Sequence, residues 1–342
     1  MAEPDFDVIM QEITSGLTGD PKADFMYLQK KAKSYKDSKY AQEIARACGR
    51  LMVEIMPEEQ RAKLNQMTDN MLLGIKSVLE EAQFNMYKKN FNVAKEILVN
   101  AVDKIEQIDM YHDDAVSEYH TFNAPIEEIL YVHLNEPKKD LRQAPEPLSA
   151  LYLTLGSLLF ELREYDDAKT ALEKALHWNP MDADIAFEYA ELFKVQGNME
   201  EFYKRTMNIF FFAHKARHIA RLYRNLGYYF VEKKMWRMAA ACYLASTHFE
   251  QDSKQAQSEL WYIQQKAGSD FTLPTPEEVQ EYFRQYEIPL GADKDVVCIA
   301  SIFGRQHKEQ ERYDYARYFY SIAYELTGME EFKEILDDIP NE

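Results

Sequence analysis

The chain has 342 residues, of which 46% are apolar and 13% aromatic, with only 11 Gly and 12 Pro. This composition is typical of packed helices, and it argues against a disordered chain or a β-sandwich. The formal net charge of −18 opposes binding to nucleic acid, because the phosphate backbone repels an acidic surface.

The cysteines and the amino end indicate a compartment. Cys48, Cys242 and Cys298 have neither metal nor disulfide spacing, and an odd count is typical of a reducing environment. The amino end lacks the basic start and apolar stretch of a secretory signal, and no run approaches the roughly 18 apolar residues that span a bilayer. We therefore expect a cytoplasmic protein that does not bind membranes.

Residues 1–70 are predicted to form an amino-terminal helical cap. Phe6 to Leu17 has the pattern of a short amphipathic helix, and Asp20-Pro21 provides an N-cap followed by proline at the first helical position. Two more helices are expected, from Lys22 to Tyr35 and from Ser38 to Ile55. Such a cap covers the exposed end of a helical array.

Residues 71–108 are predicted to form a degenerate helix pair that begins at Ile75. Ala94 and Ala101 fall at helical spacing in its second half, and the polar stretch around Lys89 is typical of a turn. Residues 109–148 are an inserted segment with a predicted helix from Ile126 to Leu134. Two roles remain open for the insertion: it carries a function, as long ordered insertions often do, or it covers apolar surface of the array.

A repeat organises residues 149–253, and its clearest copy is 149–182. Counted from Ser149 as position 1, small and apolar residues stand at positions 4, 7, 8, 11, 20, 24, 27 and 32. These residues are Tyr152, Leu155, Gly156, Leu159, Ala168, Leu172, Ala175 and Pro180. The first four share one face of a first helix, the next three share one face of a second helix, and the proline ends it.

This pattern resembles the tetratricopeptide repeat (TPR). The resemblance implies an all-α superhelix, or α-solenoid, of helix-turn-helix units, in which small residues stand where the paired helices cross closely. It is of a bacterial type and matches no characterised subfamily.

Further copies follow at 183–219 and 220–253. Ala190 occupies position 8 of the first, and Gly227 and Ala239 occupy positions 8 and 20 of the second. Phe202 replaces the small residue at position 20, which predicts a splayed or rotated helix pair. Gly227 follows Ala190 by 37 residues rather than 34, and the three extra residues are expected to lengthen a second helix.

The carboxy-terminal part is predicted to contain a connector and one more unit. Residues 254–296 form a helical connector, in which Thr275-Pro276 opens a helix with a capping box. Residues 297–342 form a TPR-like unit and a terminal capping helix, with Gly304 at position 8 and Ala316 at position 20.

No motif indicates catalysis, a cofactor or a metal. The chain lacks a nucleotide-binding loop, a nucleophile elbow and a zinc-protease helix. His214 and His218 share a helical face, but their basic neighbours would repel a metal cation. A second grouping, around His112 and His120, has no recognised ligand spacing. We therefore expect that the protein is not an enzyme.

A reversal of charge gives the candidate binding site. Between Tyr203 and Arg237 there are nine basic residues and one acid, Glu232. In TPR folds, first-helix positions 2, 5, 9, 12 and 13 line the concave groove, and here they include two arginines and a tyrosine. The candidate peptide-binding residues are Arg217, Arg221, Arg224, Asn225 and Tyr228.

Two interpretations of this basic segment remain open. Its guanidinium groups could bind the carboxylates of an acidic peptide, or they could pair with acidic residues of the insertion or of another subunit. TPR domains that clamp the tails of heat-shock chaperones carry basic and amide residues at five positions. This chain has Leu153, Ser157, Glu188, Arg221 and Asn225 there, so that activity is not expected.

The resemblance and the basic segment together predict a non-catalytic scaffold or adaptor that binds a protein or peptide in the groove. A peptide-sensing regulator is the first alternative, and an enzyme built on residues 109–148 is the second. Nothing in the sequence indicates a homo-oligomer.

Overall fold

The computed structural model describes residues 4–108, 111 and 113–340, with the backbone alone at 64–73 and 108. The first part of the chain contains α1 (Phe6–Ser15), α2 (Pro21–Ser34), α3 (Ala41–Glu54), α4 (Glu58–Tyr87), α5 (Phe91–Ile108), β1 (Ser117–His120), α6 (Pro125–Asn135) and β2 (Asp140–Gln143). The second part contains α7 (Leu148–Glu161), α8 (Tyr165–Trp178), α9 (Ala183–Val195), α10 (Met199–Ile209), α11 (Ala216–Glu232), α12 (Trp236–Phe249), α13 (Lys254–Ala267), α14 (Pro276–Gln285), α15 (Lys294–Glu309), α16 (Tyr313–Thr327) and α17 (Glu330–Asp338).

The chain divides into two compact units. The first comprises residues 1–121 and 137–154, and the second comprises 122–136 and 155–342. In the first unit, α1, α2 and α3 enclose a small apolar core with Ile13, Leu28 and Ile44 at its centre. In the second unit, one apolar core joins α6 to the helices from α9 to α17.

Several predicted helix starts are confirmed. The side chain of Asp20 accepts hydrogen bonds from the backbone of the first turn of α2. Thr275 and Glu278 form the reciprocal bonds of a capping box at the start of α14. The predicted helix of the inserted segment is α6, which has Pro125 at its first position.

One prediction about secondary structure is wrong, and one feature was not predicted. The three extra residues do not lengthen a second helix, because α10 ends at Ile209 and residues 210–215 form a linker that buries Phe210 and Phe212. The inserted segment also contains β1 and β2, which pair in parallel with Ser117 opposite Asp140. These four-residue strands are too short for a clear alternating pattern, and they are the only strands in the described ranges.

Five helix pairs share one register. They are α4–α5, α7–α8, α9–α10, α11–α12 and α15–α16, and each pair is joined by three residues. The middle residue of every turn is left-handed, and it stands at position 15 of a copy counted from Ile75, Ser149, Ala183, Ala220 or Val297. These residues are Lys89, Arg163, Gly197, Lys234 and Glu311.

The same hydrogen bond closes each first helix. The backbone N–H at position 16 donates to the carbonyl at position 11, as in Glu164 to Leu159 at 2.9 Å and Met235 to Phe230 at 2.9 Å. This six-residue closure is the Schellman motif, and it requires the left-handed residue between donor and acceptor. The repeated turn therefore reverses the chain in the same way in every pair.

Position 8 is where the two helices of a pair cross. A Cβ atom added to Gly156 would lie 2.6 Å from the Leu172 side chain, and one added to Gly227 would lie 2.7 Å from the Tyr243 ring. Both facing residues stand at position 24. In the copy from Ala183, Ala190 stands at position 8 and the smaller Thr206 at position 24, and both are buried. A larger residue at position 8 is therefore accompanied by a smaller residue at position 24.

We predict that Gly227→Ala lowers the free energy of unfolding by about 1–3 kcal/mol, because the new methyl group overlaps the packed Tyr243 ring. Gly49→Ala is the matched control, since Gly49 lies in α3 with open space around its Cα and should gain about 0.5–1 kcal/mol of helix propensity. Urea unfolding of both variants measures the difference. Equal changes in the free energy of unfolding for the two variants would show that the close helix crossing does not require glycine at position 227.

A second prediction concerns the turn between α11 and α12. Lys234 has φ 59°, a conformation that costs a non-glycine residue about 1–2 kcal/mol. Lys234→Gly should raise the free energy of unfolding by about 0.5–1 kcal/mol, because part of that gain is offset by the freer unfolded chain. Gly197→Ala at the equivalent position should have the opposite sign, and a thermal melt that shifts both variants the same way would contradict the shared turn.

Candidate functional site

The basic residues of α11 face the acidic residues of α9. Arg217 donates to Asp184 at 2.5 Å, and one turn later Arg221 donates to Glu188 at 3.2 Å. Because donor and acceptor both advance by four residues, α9 and α11 run side by side with their charges in step. We call these two pairs the charged ladder.

Only part of the ladder is accessible to a partner. The Arg217 side chain is 61% exposed and that of Arg221 is 30% exposed. The Arg221 guanidinium also lies over the Phe187 ring, 4.5 Å from its centroid. The stacking fixes the plane of the guanidinium, while its remaining N–H groups stay available to a further acceptor.

The other three candidate residues have different surroundings. Arg224 donates to Glu250 at 2.6 Å, and its side chain is only 13% exposed. Asn225 is buried, and its side-chain N–H group makes no hydrogen bond within the described structure. Tyr228 lies beneath Lys194, whose Nζ is 4.4 Å from the ring centroid.

Within the described chain, the three arginines pair with carboxylates outside the inserted segment. Asp184 and Glu188 belong to α9, in the preceding repeat unit, and Glu250 follows α12, in the same unit as Arg224. Tyr228 remains a neutral hydrogen-bonding group, because burial and the adjacent Glu232 raise the pKa of its hydroxyl. The face thus combines paired charges with one aromatic ring.

The inserted segment reaches this region through α6. Oε2 of Glu127, in the first turn of α6, accepts hydrogen bonds from the backbone of Asn123 at 2.7 Å and from the side chain of Asn179 at 2.9 Å. Asn123 in turn donates to Asp182 at 2.9 Å. A buried carboxylate therefore joins the start of α6 to the turn between α8 and α9.

Two buried histidines continue from Glu127 to the ladder. Nε2 of His214 lies 4.0 Å from Oε1 of Glu127, and the His214 and His218 rings are 5.7 Å apart. Nε2 of His218 lies 3.5 Å from Oδ1 of Asp184, which also pairs with Arg217. We call Glu127, His214, His218 and the partly exposed Asp184 together the buried relay.

Burial controls protonation in the relay. It raises the pKa of Glu127 and, together with the neighbouring His218 and Lys215, lowers the pKa of His214 to about 3. Burial alone would raise the pKa of Asp184, but His218, Arg217 and Lys215 hold it well below its usual range. His214 is therefore neutral at pH 7, while Asp184 carries its charge.

Of the four ring nitrogens of His214 and His218, only Nδ1 of His214 has a hydrogen-bond partner within the described structure, and the other three are buried without one. Nδ1 of His214 is 3.3 Å from the carbonyl oxygen of Phe212. Across the described side chains, no three His, Cys, Asp or Glu residues are grouped closely enough to hold a metal ion. His112, which the sequence suggested as a second ligand grouping, lies outside the described residues.

Sequence reasoning missed Glu127 as a member of this cluster. Glu127 lies within the helix predicted from Ile126 to Leu134, and the structure places it in the first turn of α6. Its contact with Asn179 joins residues 52 positions apart, and no local pattern indicates such a pair. The sequence offered one signal for Glu127, which is that a carboxylate stands in the first helical turn of an inserted segment.

The chain resembles known proteins only distantly, at 14% sequence identity. No protein-family model matches the chain, and no curated protein matches it in sequence. A structure from the functional characterisation of PilF of Pseudomonas aeruginosa is 14% identical, with a TM-score of 0.40, and the match covers 78% of this chain and 97% of that one. A chain of the APC/C hetero-tetramer Cut9-Hcn1 is also 14% identical, with a TM-score of 0.33, and the match covers 94% of this chain and 60% of that one.

We predict that acid destabilises the protein through His214. The unfolded histidine binds a proton below its ordinary pKa of 6.5, whereas the folded one does so only near 3, so the free energy of unfolding falls as pH drops between these values. At pH 5 this loss should be about 2 kcal/mol, at about 1.4 kcal/mol for each pH unit.

His214→Phe removes this titration and keeps an aromatic ring in the site. Thermal unfolding of the variant should therefore depend less on pH between 7 and 5 than that of the wild type. His248→Phe is the control, because His248 is exposed. Identical pH profiles for wild type and His214→Phe would show that His214 does not set the acid sensitivity.

Within the described ranges, no helix is both long enough and apolar enough to cross a bilayer. The architecture rests on helix pairs that cross at position 8, face position 24 and turn at position 15. The turn is shared by five pairs and the close crossing is seen in three of them, so the described residues have a helical fold of the tetratricopeptide-repeat type.

Proposed function

We propose that the protein is a non-catalytic interaction scaffold that binds an acidic segment of a partner protein on the charged ladder of α9 and α11. The observation that carries the proposal is that Arg217 and Arg221 are held in step on one accessible helix face. Two guanidinium groups one helical turn apart match successive carboxylates of a bound segment.

The intramolecular pairs do not prevent such binding. Each ladder pair joins side chains that are at least 30% exposed, and pairs of this kind contribute only about 0–1 kcal/mol in water. A partner carboxylate can therefore replace Asp184 or Glu188 at small cost. Lys194 and Tyr228 extend the same region and supply a cation and a hydroxyl group for further contacts.

The carboxylates of the ladder act as competitors in this proposal. Glu188 occupies Arg221, so its removal should free a guanidinium whose plane remains fixed on Phe187. Loss of a competitor and loss of a binding group then have opposite effects on affinity. This opposition distinguishes binding at the ladder from a general effect of net charge.

The experiment measures binding of a fluorescent Glu- and Asp-rich peptide of about ten residues by anisotropy. Arg217→Gln/Arg221→Gln should weaken binding at least about tenfold, which corresponds to about 1.4 kcal/mol, and Glu188→Gln should strengthen it. Lys204→Gln/Lys254→Gln removes the same charge from exposed positions elsewhere and should leave the affinity nearly unchanged.

Salt provides a second readout. Affinity carried by these exposed groups should fall as the screening length shortens from about 10 Å at 0.1 M salt to about 3 Å at 1 M. Equal affinity for the arginine and lysine double variants, or weaker binding by Glu188→Gln, would reject the ladder as the binding site.

A further inference from the structure

A cavity lies in the second unit, where the repeat pattern is interrupted. Its volume is about 730 Å³, and its walls come from α12, α14 and the α15–α16 pair. Among the lining residues, α12 contributes Ala245 and Phe249, α14 contributes Val279 and Phe283, and the end of α16 contributes Leu326. The cavity is separate from the charged ladder and the buried relay.

The interruption explains why the space is not filled. Between the α11–α12 and α15–α16 pairs, the chain forms α13, the short helix α14 and two non-helical segments instead of a regular helix pair. Pro274 and Pro276 stand at the cavity wall, just before and at the start of α14. Proline cannot extend the helix backwards, so α14 stops short of closing the gap.

The wall is rigid on the side of Tyr223. Its hydroxyl donates to the carbonyl oxygen of Pro289 at 2.7 Å and accepts the backbone N–H of Gly291 at 2.6 Å. Its ring stacks on Phe283, with the centroids 5.3 Å apart. These contacts hold the segment after α14 in place, so the cavity is preformed in the folded chain.

The lining determines the chemistry of a ligand. None of the residues that line the cavity is acidic, and none is lysine or arginine. A charged ligand would lose its hydration there without gaining a partner of opposite charge, which is costly. The volume falls within the range of about 300–1,000 Å³ that is usual for small-molecule sites. His248 and Gln280 lie among the lining residues and are exposed, so they are available to one polar ligand group.

We propose that this cavity is a binding site for an uncharged, mainly apolar small molecule. The ligand packs against the aromatic wall of Tyr223, Phe249 and Phe283. A single hydroxyl or carbonyl group of the ligand faces His248 or Gln280 at the mouth. The proposal does not depend on the acidic partner of the charged ladder.

The test titrates the full chain with Nile red, a neutral dye whose fluorescence rises in apolar surroundings. The wild type should bind one dye molecule saturably. Ala245→Phe places a ring in the cavity, and Leu290→Glu places a carboxylate on a lining residue that is 61% exposed. Each should weaken dye binding at least about tenfold. Leu290→Glu keeps the test valid if Ala245→Phe does not fold, because an exposed position tolerates the change.

Two controls make the result specific. Val132→Glu introduces the same charge at a 46% exposed residue of α6 outside the cavity, and it should bind the dye like the wild type. Arg217→Gln/Arg221→Gln should also bind the dye normally, so failure of the ladder and failure of the cavity are distinguishable.

Competition tests the preference for uncharged ligands. Decanol should displace the dye at a concentration at least about tenfold lower than decanoate, which has the same chain length and a negative charge. Absence of one-to-one saturable binding, equal binding by wild type and Leu290→Glu, or equal displacement by the two competitors would overturn the proposal.

Discussion

The close crossing of two helices at position 8 is the constraint on which the repeat depends. Gly227 and Gly304 each face a tyrosine at position 24, and Gly156 faces a leucine there. A large side chain at position 8 would separate the helices and uncover the apolar surface between them, so the large residue can stand on only one side. The left-handed residue at position 15 then fixes the angle at which the second helix returns.

The sequence predicts this local geometry well because each of its requirements lies within one unit. Gly156 and Leu172 are 16 residues apart, and the three-residue turn between them leaves little freedom in how their helices meet. Helix starts such as Thr275 with Glu278 are even more local, since both partners lie in one turn. The repeat register and the capping positions were therefore predictable.

The same reasoning fails where the partners are distant. The position of Glu127 beside Asn179 depends on where α6 docks, and its distance from His214 depends on the linker 210–215. Parallel pairing of β1 with β2 likewise requires residues 23 positions apart to meet around an intervening helix. Composition and periodicity describe single elements, and these contacts are set by the packing between elements.

The charge reversal in α11 has a physical explanation in this packing. An isolated basic helix in so acidic a chain would appear to be a surface for an external partner, yet Arg217, Arg221 and Arg224 each meet a carboxylate of a neighbouring element. Each guanidinium group of the ladder has more N–H donors than one carboxylate can accept, and the remaining donors are available to a partner. Binding at the ladder therefore lets a partner carboxylate replace Asp184 or Glu188 on its arginine.

This exchange would not remain local to the surface. Asp184 contacts Arg217 on the exposed side and His218 on the buried side, and His218 is followed by His214 and Glu127 at the start of α6. If a partner carboxylate takes Arg217 from Asp184, the electrostatic field at His214 changes, and so does the free energy of protonating His214. By linkage, protonation of the relay must then alter affinity at the ladder by the same factor. The inserted segment is thus connected to the proposed binding face through charge, without any requirement that it contact the partner.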